Sequence, residues 1–384
     1  MRILADEALP NAPEVFSVFG RVELKAGRQI NADDVSDADA LIIRSVTRVD
    51  ADLLSKARCL KFVGTATAGF DHVDLQLLKE RGIAFATAPG SNCISVGDYL
   101  LSALLVLSQR YGLELKGKTL GIVGCGHTGT QVMKKAQALG MHTILRDPPL
   151  LERGHAECGA SLEEILACDF VSLHVPLEKS GPLKTYHLIG RDELAAMHDG
   201  AFLINASRGS VVDNQALLDV LKSGRLHAWL DVFEGEPEIS VKELLPLLDG
   251  ATAHIAGYSF ESKRRAAFML GQEFGRVVHL PPQEIFQMPP PEIESITLGA
   301  VKELDLDLIR RLVFSVYDVR RDCALFRQYF TGAKSFDLLR RNYRERRELS
   351  SVTIKGASRE CAGVLKTLGF SLRPEYLSVK VYRF

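Results

Sequence analysis

The chain has 384 residues, of which 46% are hydrophobic and 25% are charged, and its formal net charge is −1. This balance excludes a wholly disordered chain, which would combine low hydrophobicity with high net charge, and the length suffices for two or three domains. No apolar run approaches the roughly 20 residues that span a bilayer, and charges at Arg2, Asp6 and Glu7 interrupt what would be the apolar part of a signal peptide. We therefore expect a cytoplasmic protein without a membrane partner.

The charges are distributed unevenly along the chain. Residues 290–384 carry 18 Lys/Arg and 12 Asp/Glu, whereas the remainder carries 29 and 36. A basic segment on an acidic body indicates an anionic partner, either a nucleic acid or a phosphorylated small molecule. The seven cysteines are scattered and include no C-x-x-C pair, so the sequence supports neither a disulfide framework nor a metal site.

The N-terminal part alternates short apolar runs with helical patterns. Buried strands are predicted at 2–5, 40–43 and 60–63, and a long amphipathic helix at 96–111, with an Asn or Ser before it as the N-cap. Strands that alternate with helices are typical of a parallel sheet covered on both faces.

A second and more regular series of strands separated by helices begins at Thr119. Its predicted strands are 120–123, 142–145, 170–173, 201–205 and 228–230. A helix at 256–280 follows, and the proline runs at 281–282 and 289–291 mark the clearest boundary of the chain. Beyond this boundary we predict a small α+β unit with strands at 292–298 and 377–382 and helices at 308–330 and 335–348.

A glycine-rich loop connects the strand at 120–123 to a helix predicted at 130–139. Its pattern G-x-G-x-x-G, in this strand–loop–helix context, indicates a dinucleotide site. Gly124 would make the tight turn, Gly126 would let the pyrophosphate approach the backbone, and Gly129 would allow close packing of helix and strand. The helix N-terminus, with His127 and Thr128, would offer N–H groups to the phosphates.

Asp147 follows the next strand, 18 residues after Gly129. A carboxylate at this point accepts hydrogen bonds from the adenosine ribose and repels a 2′-phosphate, so we predict NAD rather than NADP as the cofactor. The neighbouring Arg146 weakens this preference slightly, because an arginine can accommodate the phosphate.

Three later segments stand at the ends of predicted strands. They are N-A-S-R-G at 205–209, D-V-F-E-G-E-P at 231–237 and H-I-A-G at 254–257. Ligands of an open parallel sheet bind beyond the carboxyl ends of its strands, so all three segments are expected to face one crevice. Together with the glycine loop, they resemble the D-2-hydroxyacid dehydrogenase family in order and separation, over roughly residues 1–285.

This resemblance implies an α/β fold with three parts. A Rossmann-type, doubly wound parallel-sheet domain at 96–255 would bind NAD. A discontinuous flavodoxin-like domain, made of residues 1–95 and 256–285, would bind substrate, and a C-terminal α+β domain at 286–384 would form a homodimer.

The three segments also contain the residues that oxidation of a 2-hydroxy acid requires. His254 suits the general base, because an unperturbed imidazole titrates near pH 6.5. The resemblance implies that Glu236 orients and stabilises it, while Arg208 offers a planar fork to the substrate carboxylate and polarises the developing carbonyl. The further NAD contacts that the resemblance implies are Val175, Ala206, Ser207, Arg208, Asp231 and Gly257.

Two N-terminal segments, at 44–47 and 64–71, are the candidates for substrate binding. With Tyr258 and the basic C-terminal unit, they resemble members of the family that oxidise 4-phospho-D-erythronate to 3-hydroxy-2-oxo-4-phosphobutanoate in pyridoxal 5′-phosphate biosynthesis. The substrate contacts that this implies are Arg44, Ser45, Thr67, Ala68, Gly69, Arg208 and Tyr258. The phosphate would need cations, either Arg44 or the arginine-rich run at 340–347, which could equally be a solvated helix face.

Two alternatives remain open at this stage. One is a related enzyme that acts on a different phosphorylated 2-hydroxy acid, such as 3-phosphoglycerate. The other is a non-enzymatic NAD-sensing corepressor of the same fold, with the basic tail on nucleic acid. The presence of Arg208, Glu236 and His254 together favours an enzyme without a nucleic-acid partner.

Overall fold

The computed structural model describes residues 1–281, 288–299 and 301–373. Within these residues three sheets follow one another along the chain, and every strand pair in them is parallel. The predicted α/β fold is confirmed. The boundaries between the three predicted domains stay a prediction, although each sheet lies within one of them.

The first sheet has the strand order β2–β1–β3–β4–β5, which is that of flavodoxin-like folds. Its strands are β1 (Arg2–Asp6), β2 (Arg21–Lys25), β3 (Ala40–Ile43), β4 (Phe62–Thr65) and β5 (Ala84–Thr87), and its helices are α1 (Ala12–Phe16) and α2 (Leu75–Glu80). The sequence predicted β1, β3 and β4, whose side chains are almost all buried. It missed the edge strands β2 and β5, whose residues are only partly buried. In β2, charged residues interrupt the apolar pattern.

The second sheet has the order β11–β10–β9–β8–β6–β7. Its strands are β6 (Thr119–Val123), β7 (His142–Arg146), β8 (Phe170–Leu173), β9 (Phe202–Asn205), β10 (His227–Leu230) and β11 (Gly250–Ala251). Its helices are α3 (Cys93–Tyr111), α4 (His127–Ala138), α5 (Pro148–Glu152), α6 (Leu162–Leu166), α7 (Arg191–Ala196) and α8 (Asn214–Lys222). The connections reverse direction between β6 and β8, which opens the crevice where ligands of this fold bind.

Helix α3 is buried along most of its length because it packs against both sheet domains and the C-terminal unit. Asn92 occupies its N-cap position, as expected, but the Asn92 side chain makes no capping hydrogen bond. Helix α9 (Phe260–Val278) returns to the first sheet, where Phe274 lies 5.0 Å from Phe19 and 5.2 Å from Phe62 between ring centroids. The C-terminal part of the predicted substrate domain therefore packs on its N-terminal part.

The third sheet has the order β12–β13–β14. Its strands are β12 (Ser295–Thr297), β13 (Thr353–Lys355) and β14 (Ser371–Arg373), and its helices are α10 (Leu306–Val316), α11 (Val319–Tyr329), α12 (Ala333–Arg341) and α13 (Arg359–Leu368). The strand predicted at 377–382 lies outside the described residues.

Two helix predictions in this unit are wrong. The helix expected at 308–330 is two helices, because Asp318 interrupts it and caps α11 by accepting a hydrogen bond from the Arg320 N–H at 3.0 Å. The helix expected at 335–348 ends at Arg341, and the extended chain that follows buries Arg346 and Glu348 completely. Their buried partners come from distant elements, so the local charge pattern gave no sign of this break.

Candidate active site

The glycine loop after β6 has the predicted geometry. Gly124 has a φ of 90°, and a Cβ there would lie 2.5 Å from the carbonyl oxygen of His174. A Cβ on Gly129 would lie 2.0 Å from the Gly124 oxygen, so the helix packs too closely for any side chain. At Gly126, in contrast, no described atom lies within 4 Å of the Cβ position. Helix α4 begins at His127, three residues earlier than predicted, and its first N–H groups have no helical acceptor.

Asp147 ends β7 and binds the glycine loop directly. Its Oδ2 accepts a hydrogen bond from the Cys125 N–H at 2.8 Å, while Oδ1 accepts one from the Leu150 N–H at 3.1 Å. Arg146 donates to the Ala160 carbonyl at 2.9 Å, and Val175 borders the loop at Gly124. An open glycine turn, a helix N-terminus and a carboxylate at the neighbouring strand end fit a dinucleotide without a 2′-phosphate.

A cavity of about 820 Å³ lies between the first two sheets. The predicted catalytic and substrate residues all line it, although they come from both sheet domains. These residues are Arg44, Ser45, Thr67, Ala68, Gly69, Arg208, Glu236, His254 and Tyr258, and the predicted cofactor residues Ala206, Ser207, Asp231 and Gly257 join them. Residues 124–129, Asp147 and Val175 are described but do not line this cavity.

His254 and Glu236 form a hydrogen-bonded pair in this cavity. The contact joins Nδ1 of the imidazole to Oε1 of the carboxylate, which leaves Nε2 for a substrate proton. Oε2 of Glu236 accepts a hydrogen bond from the Phe233 N–H at 3.2 Å. Burial by itself raises the pKa of Glu236, but the charge and hydrogen bond of His254 and the charge of Arg340 outweigh it, so the net pKa is lowered. Glu236 is thus a stable carboxylate beside the candidate base.

Asp231 holds the loop that carries His254. Its carboxylate accepts hydrogen bonds from Thr252 Oγ1 at 2.6 Å and from the N–H groups of Ile255 and Ala256 at 2.8 and 2.9 Å. His254 has a φ of 54°, in the left-handed region, and its N–H donates to the Asp231 carbonyl at 2.7 Å. These bonds hold a backbone conformation that a histidine rarely adopts. Asp231 therefore positions His254, a role that sequence reasoning did not assign to it.

Arg208 points across the cleft toward the substrate domain. Its Nε and Nη2 atoms each lie 3.3 Å from Oδ2 of Asp71, and Nη1 donates to the Ser207 carbonyl at 2.8 Å. Gly69 lies against this guanidinium, because a Cβ there would be 1.8 Å from Arg208 Nη2 and would displace the end of that side chain. The Asp71 carboxylate thus occupies the guanidinium fork predicted to bind the substrate carboxylate. Asp71 belongs to the segment 64–71, but the sequence predicted no role for it.

Two of the remaining predicted substrate residues, Arg44 and Thr67, are held by hydrogen bonds within the predicted substrate domain. Arg44 pairs with the fully buried Asp6, with its Nε 3.0 Å from Oδ2. Thr67 Oγ1 donates to the Gly69 carbonyl at 2.7 Å. His72 contacts Thr65 Oγ1 at 2.9 Å, and burial lowers its pKa to about 4. These contacts fix the turn that carries residues 67–69.

The arginines of the arginine-rich run lie in different environments. Arg340 lines the cavity and donates to the Tyr258 hydroxyl at 3.1 Å. Arg346 is fully buried and donates to the carbonyls of Ser95 and Ala256, and Arg347 binds Glu261. The run is therefore not a solvated helix face.

In the part of the chain that the structure describes, no helix is long and apolar enough to cross a membrane. Nor is any group of three His, Cys, Asp or Glu side chains in these residues placed to hold a metal ion.

Comparison with known proteins places this arrangement in a family. Residues 104–256 match the family described as D-isomer specific 2-hydroxyacid dehydrogenase, NAD binding domain, and residues 287–369 match a domain of unknown function, DUF3410. The chain is 47% identical over 381 residues to the erythronate-4-phosphate dehydrogenase of Aeromonas hydrophila, which covers 98% of this chain and 100% of that protein.

Solved structures share the fold over nearly three quarters of this chain. A Thermus thermophilus protein is 31% identical with a TM-score of 0.61, over 73% of this chain and 98% of that one. A D-lactate dehydrogenase from Aquifex aeolicus, complexed with NAD and lactic acid, is 26% identical with a TM-score of 0.58, over 72% of this chain and 95% of that one. The chain therefore belongs to the D-isomer specific 2-hydroxyacid dehydrogenases and, within them, to the group of erythronate-4-phosphate dehydrogenases.

Proposed function

We propose that this protein oxidises 4-phospho-D-erythronate to 3-hydroxy-2-oxo-4-phosphobutanoate with NAD, as a step of pyridoxal 5′-phosphate biosynthesis. The observation that carries the proposal is the convergence of Arg208, Glu236 and His254, distant in sequence, on one cavity. The name of the full-length relative supports this substrate over 3-phosphoglycerate.

Each of these residues has a distinct task in the reaction. Arg208 exchanges the Asp71 carboxylate for the substrate carboxylate and polarises the oxygen on C2 as it becomes a carbonyl. His254 Nε2 takes the hydroxyl proton, and Glu236 stabilises the resulting imidazolium. The chemistry that NAD supplies when bound is acceptance of the hydride from C2. The two domains that line the cleft exclude water from this transfer.

The cofactor assignment rests on the residues around the glycine loop. Gly126 leaves open space for the pyrophosphate, and Asp147 disfavours a 2′-phosphate. Ala206, Ser207, Asp231 and Gly257 line the part of the cleft next to His254, where the nicotinamide would lie.

Side-by-side turnover of candidate acids tests this function. The purified protein with NAD is expected to form NADH faster with 4-phosphoerythronate than with 3-phosphoglycerate. Faster turnover of 3-phosphoglycerate would overturn the substrate assignment. Absence of turnover with both acids, combined with salt-sensitive DNA binding, would instead identify a corepressor.

We further propose that the C-terminal unit forms a homodimer in the cytoplasm, without a nucleic-acid or membrane partner. Leu325, Tyr329 and Leu338 expose 36%, 53% and 52% of their surface around one groove of α11 and α12, and an exposed apolar groove suits burial against a second copy of the chain. Seven free cysteines suit a reducing compartment. Tyr329→Lys is expected to shift the protein from dimer to monomer in sedimentation equilibrium, and a monomeric wild type would contradict the assembly.

A further inference from the structure

Six basic side chains line the main cavity, and four of them are already paired with carboxylates. The four pairs are Arg28–Asp337 at 2.5 Å, Arg44–Asp6 at 3.0 Å, Arg48–Asp50 at 3.1 Å and Arg208–Asp71 at 3.3 Å. Among the described residues, no carboxylate lies within 4.0 Å of the charged nitrogens of Lys263 or Arg340. These two cations therefore lack the direct carboxylate contact that the other four have.

Lys263 and Arg340 flank the same tyrosine. Lys263 Nζ lies 5.4 Å and the Arg340 guanidinium carbon 5.8 Å from the centroid of the Tyr258 ring, and Arg340 Nη2 donates to the Tyr258 hydroxyl at 3.1 Å. Arg340 Nε is buried and makes no hydrogen bond within the described residues. Two cations and a hydroxyl thus lie close together and have hydrogen-bond donors available for a ligand.

The three residues come from different parts of the chain. Tyr258 follows the His254 loop, Lys263 lies in the first turns of α9, and Arg340 is the penultimate residue of α12 in the C-terminal unit. Arg340 is also near enough to Glu236 to help lower the pKa of that carboxyl. The cluster therefore borders the catalytic pair.

Cations in a partly buried wall that have no direct carboxylate contact are stabilised when an anion joins them. Burial lowers the pKa of Lys263, and the electrostatic interaction with the Tyr258 hydroxyl only partly offsets this effect. A phosphate group offers three acceptor oxygens, which suit both the planar fork of an arginine and the point charge of a lysine. Arg44, the other cation that the sequence suggested, is neutralised by the buried Asp6.

We propose that Lys263 and Arg340, together with the Tyr258 hydroxyl, bind the phosphate of the substrate and so determine specificity for a phosphorylated acid. This inference rests on the proposed function and adds the phosphate subsite to it. It also makes the C-terminal unit part of the active site, since Arg340 reaches the cavity of its own chain.

Kinetics of the full-length protein with NAD test this subsite. In Lys263→Gln and in Arg340→Gln, the KM for 4-phosphoerythronate is expected to rise roughly 10- to 100-fold, with little change in kcat. A rise of this size corresponds to the loss of one charged hydrogen bond. The KM for unphosphorylated erythronate should rise much less than the KM for 4-phosphoerythronate. Lys263→Arg keeps the charge and should retain most of the affinity.

Lys334→Gln and Arg341→Gln are the matched controls, because both residues belong to α12 but lie outside the main cavity. Their KM values should stay at the wild-type level. An unchanged KM in Lys263→Gln and Arg340→Gln, or an equal loss for erythronate, would overturn the subsite.

Binding of inorganic phosphate to the NAD-loaded protein, measured by calorimetry, separates the two proposals. If the wild type oxidises neither acid, the proposed function fails, and the phosphate titration alone decides the subsite. Binding that weakens about tenfold or more in Lys263→Gln and Arg340→Gln, but not in the controls, would still support it. Binding that is absent in the wild type or equal in all variants would refute it.

Discussion

Glu236 remains a carboxylate in a buried site because His254 supplies the compensating hydrogen bond. We expect Glu236→Gln to lower kcat about 10- to 100-fold, because the amide cannot stabilise the imidazolium electrostatically, and His254→Ala to lower it by about 10²- to 10⁴-fold. Initial rates of NADH formation measure both effects. His198→Ala, at an exposed histidine, is the control and should keep wild-type rates. Full activity in His254→Ala would contradict the assignment of the base.

Gly124 and Gly126 separate the structural and the binding roles of the glycine loop. Gly124→Ala places a methyl group 2.5 Å from the His174 carbonyl at a φ of 90°, so we expect a loss of about 2–4 kcal/mol in the free energy of unfolding. Gly126→Ala should leave stability nearly unchanged but weaken NAD binding, because its methyl group enters the space left for the pyrophosphate. Urea unfolding and NAD titration measure the two quantities. Equal NAD affinity in Gly126→Ala and the wild type would contradict this position for the pyrophosphate.

Asp169 joins two neighbouring elements, since it precedes β8 and contacts the start of β6. Its carboxylate accepts hydrogen bonds at 2.8 Å from Lys118 Nζ and from the N–H and Oγ1 of Thr119. Burial raises the pKa of Asp169, but these donors outweigh burial and lower it to about 2. Asp169 thus links the strands that border the cofactor crevice.

A depressed pKa in the folded state means that Asp169 stabilises the fold above its unfolded pKa of about 4 and stops doing so as the pH falls toward 2. We expect Asp169→Asn to lower the free energy of unfolding by about 1 kcal/mol at neutral pH and not to lower it near pH 2. The value at neutral pH is reduced for solvent screening. Urea unfolding of both proteins across this pH range measures the difference. A cost that is independent of pH would show that the charge of Asp169 does not matter.

At the scale of the whole molecule, a buried ionic contact joins the three parts of the chain. Glu348 of the C-terminal unit is fully buried, accepts hydrogen bonds from Ser95 of α3 and Ser259 before α9, and pairs with Arg265 of α9. Helix α3, most of which belongs to the predicted NAD domain, helix α9 of the predicted substrate domain and the C-terminal unit therefore meet at one carboxylate.

Removal of Arg265 would leave Glu348 buried without its cation. We expect Arg265→Ala to lower the free energy of unfolding by about 3 kcal/mol, near the lower end for a broken buried pair because Arg265 is itself partly exposed. Arg359→Ala, at an exposed position of α13, should stay within about 0.5 kcal/mol of the wild type. Urea unfolding measures both, and equal stability of the two variants would mean that this contact does not hold the three parts together.

Part of the candidate active site could be predicted because its residues stand in short, contiguous sequence motifs. Gly124, Arg208, Glu236 and His254 each follow a buried strand, and parallel strands bring their carboxyl ends to one edge. Asp71 and Lys263 were not assigned roles, because a single charged residue on a loop or helix carries no local signal of the cavity it faces. Their neighbours in the cavity lie far away in sequence.

The sequence by itself determined the α/β class, the central strands of the first two sheets and the family, because continuous apolar runs and glycine turns are local features. Only the tertiary structure decided where α12 ends, which cation of the arginine-rich run reaches the cavity and which cations remain unpaired. Arg340 and Arg346 look alike in a charge pattern, but Arg340 lines the cavity and Arg346 is fully buried. The physical reason is that burial and pairing of charge depend on partners from other elements, which are brought together only by the packing of three domains.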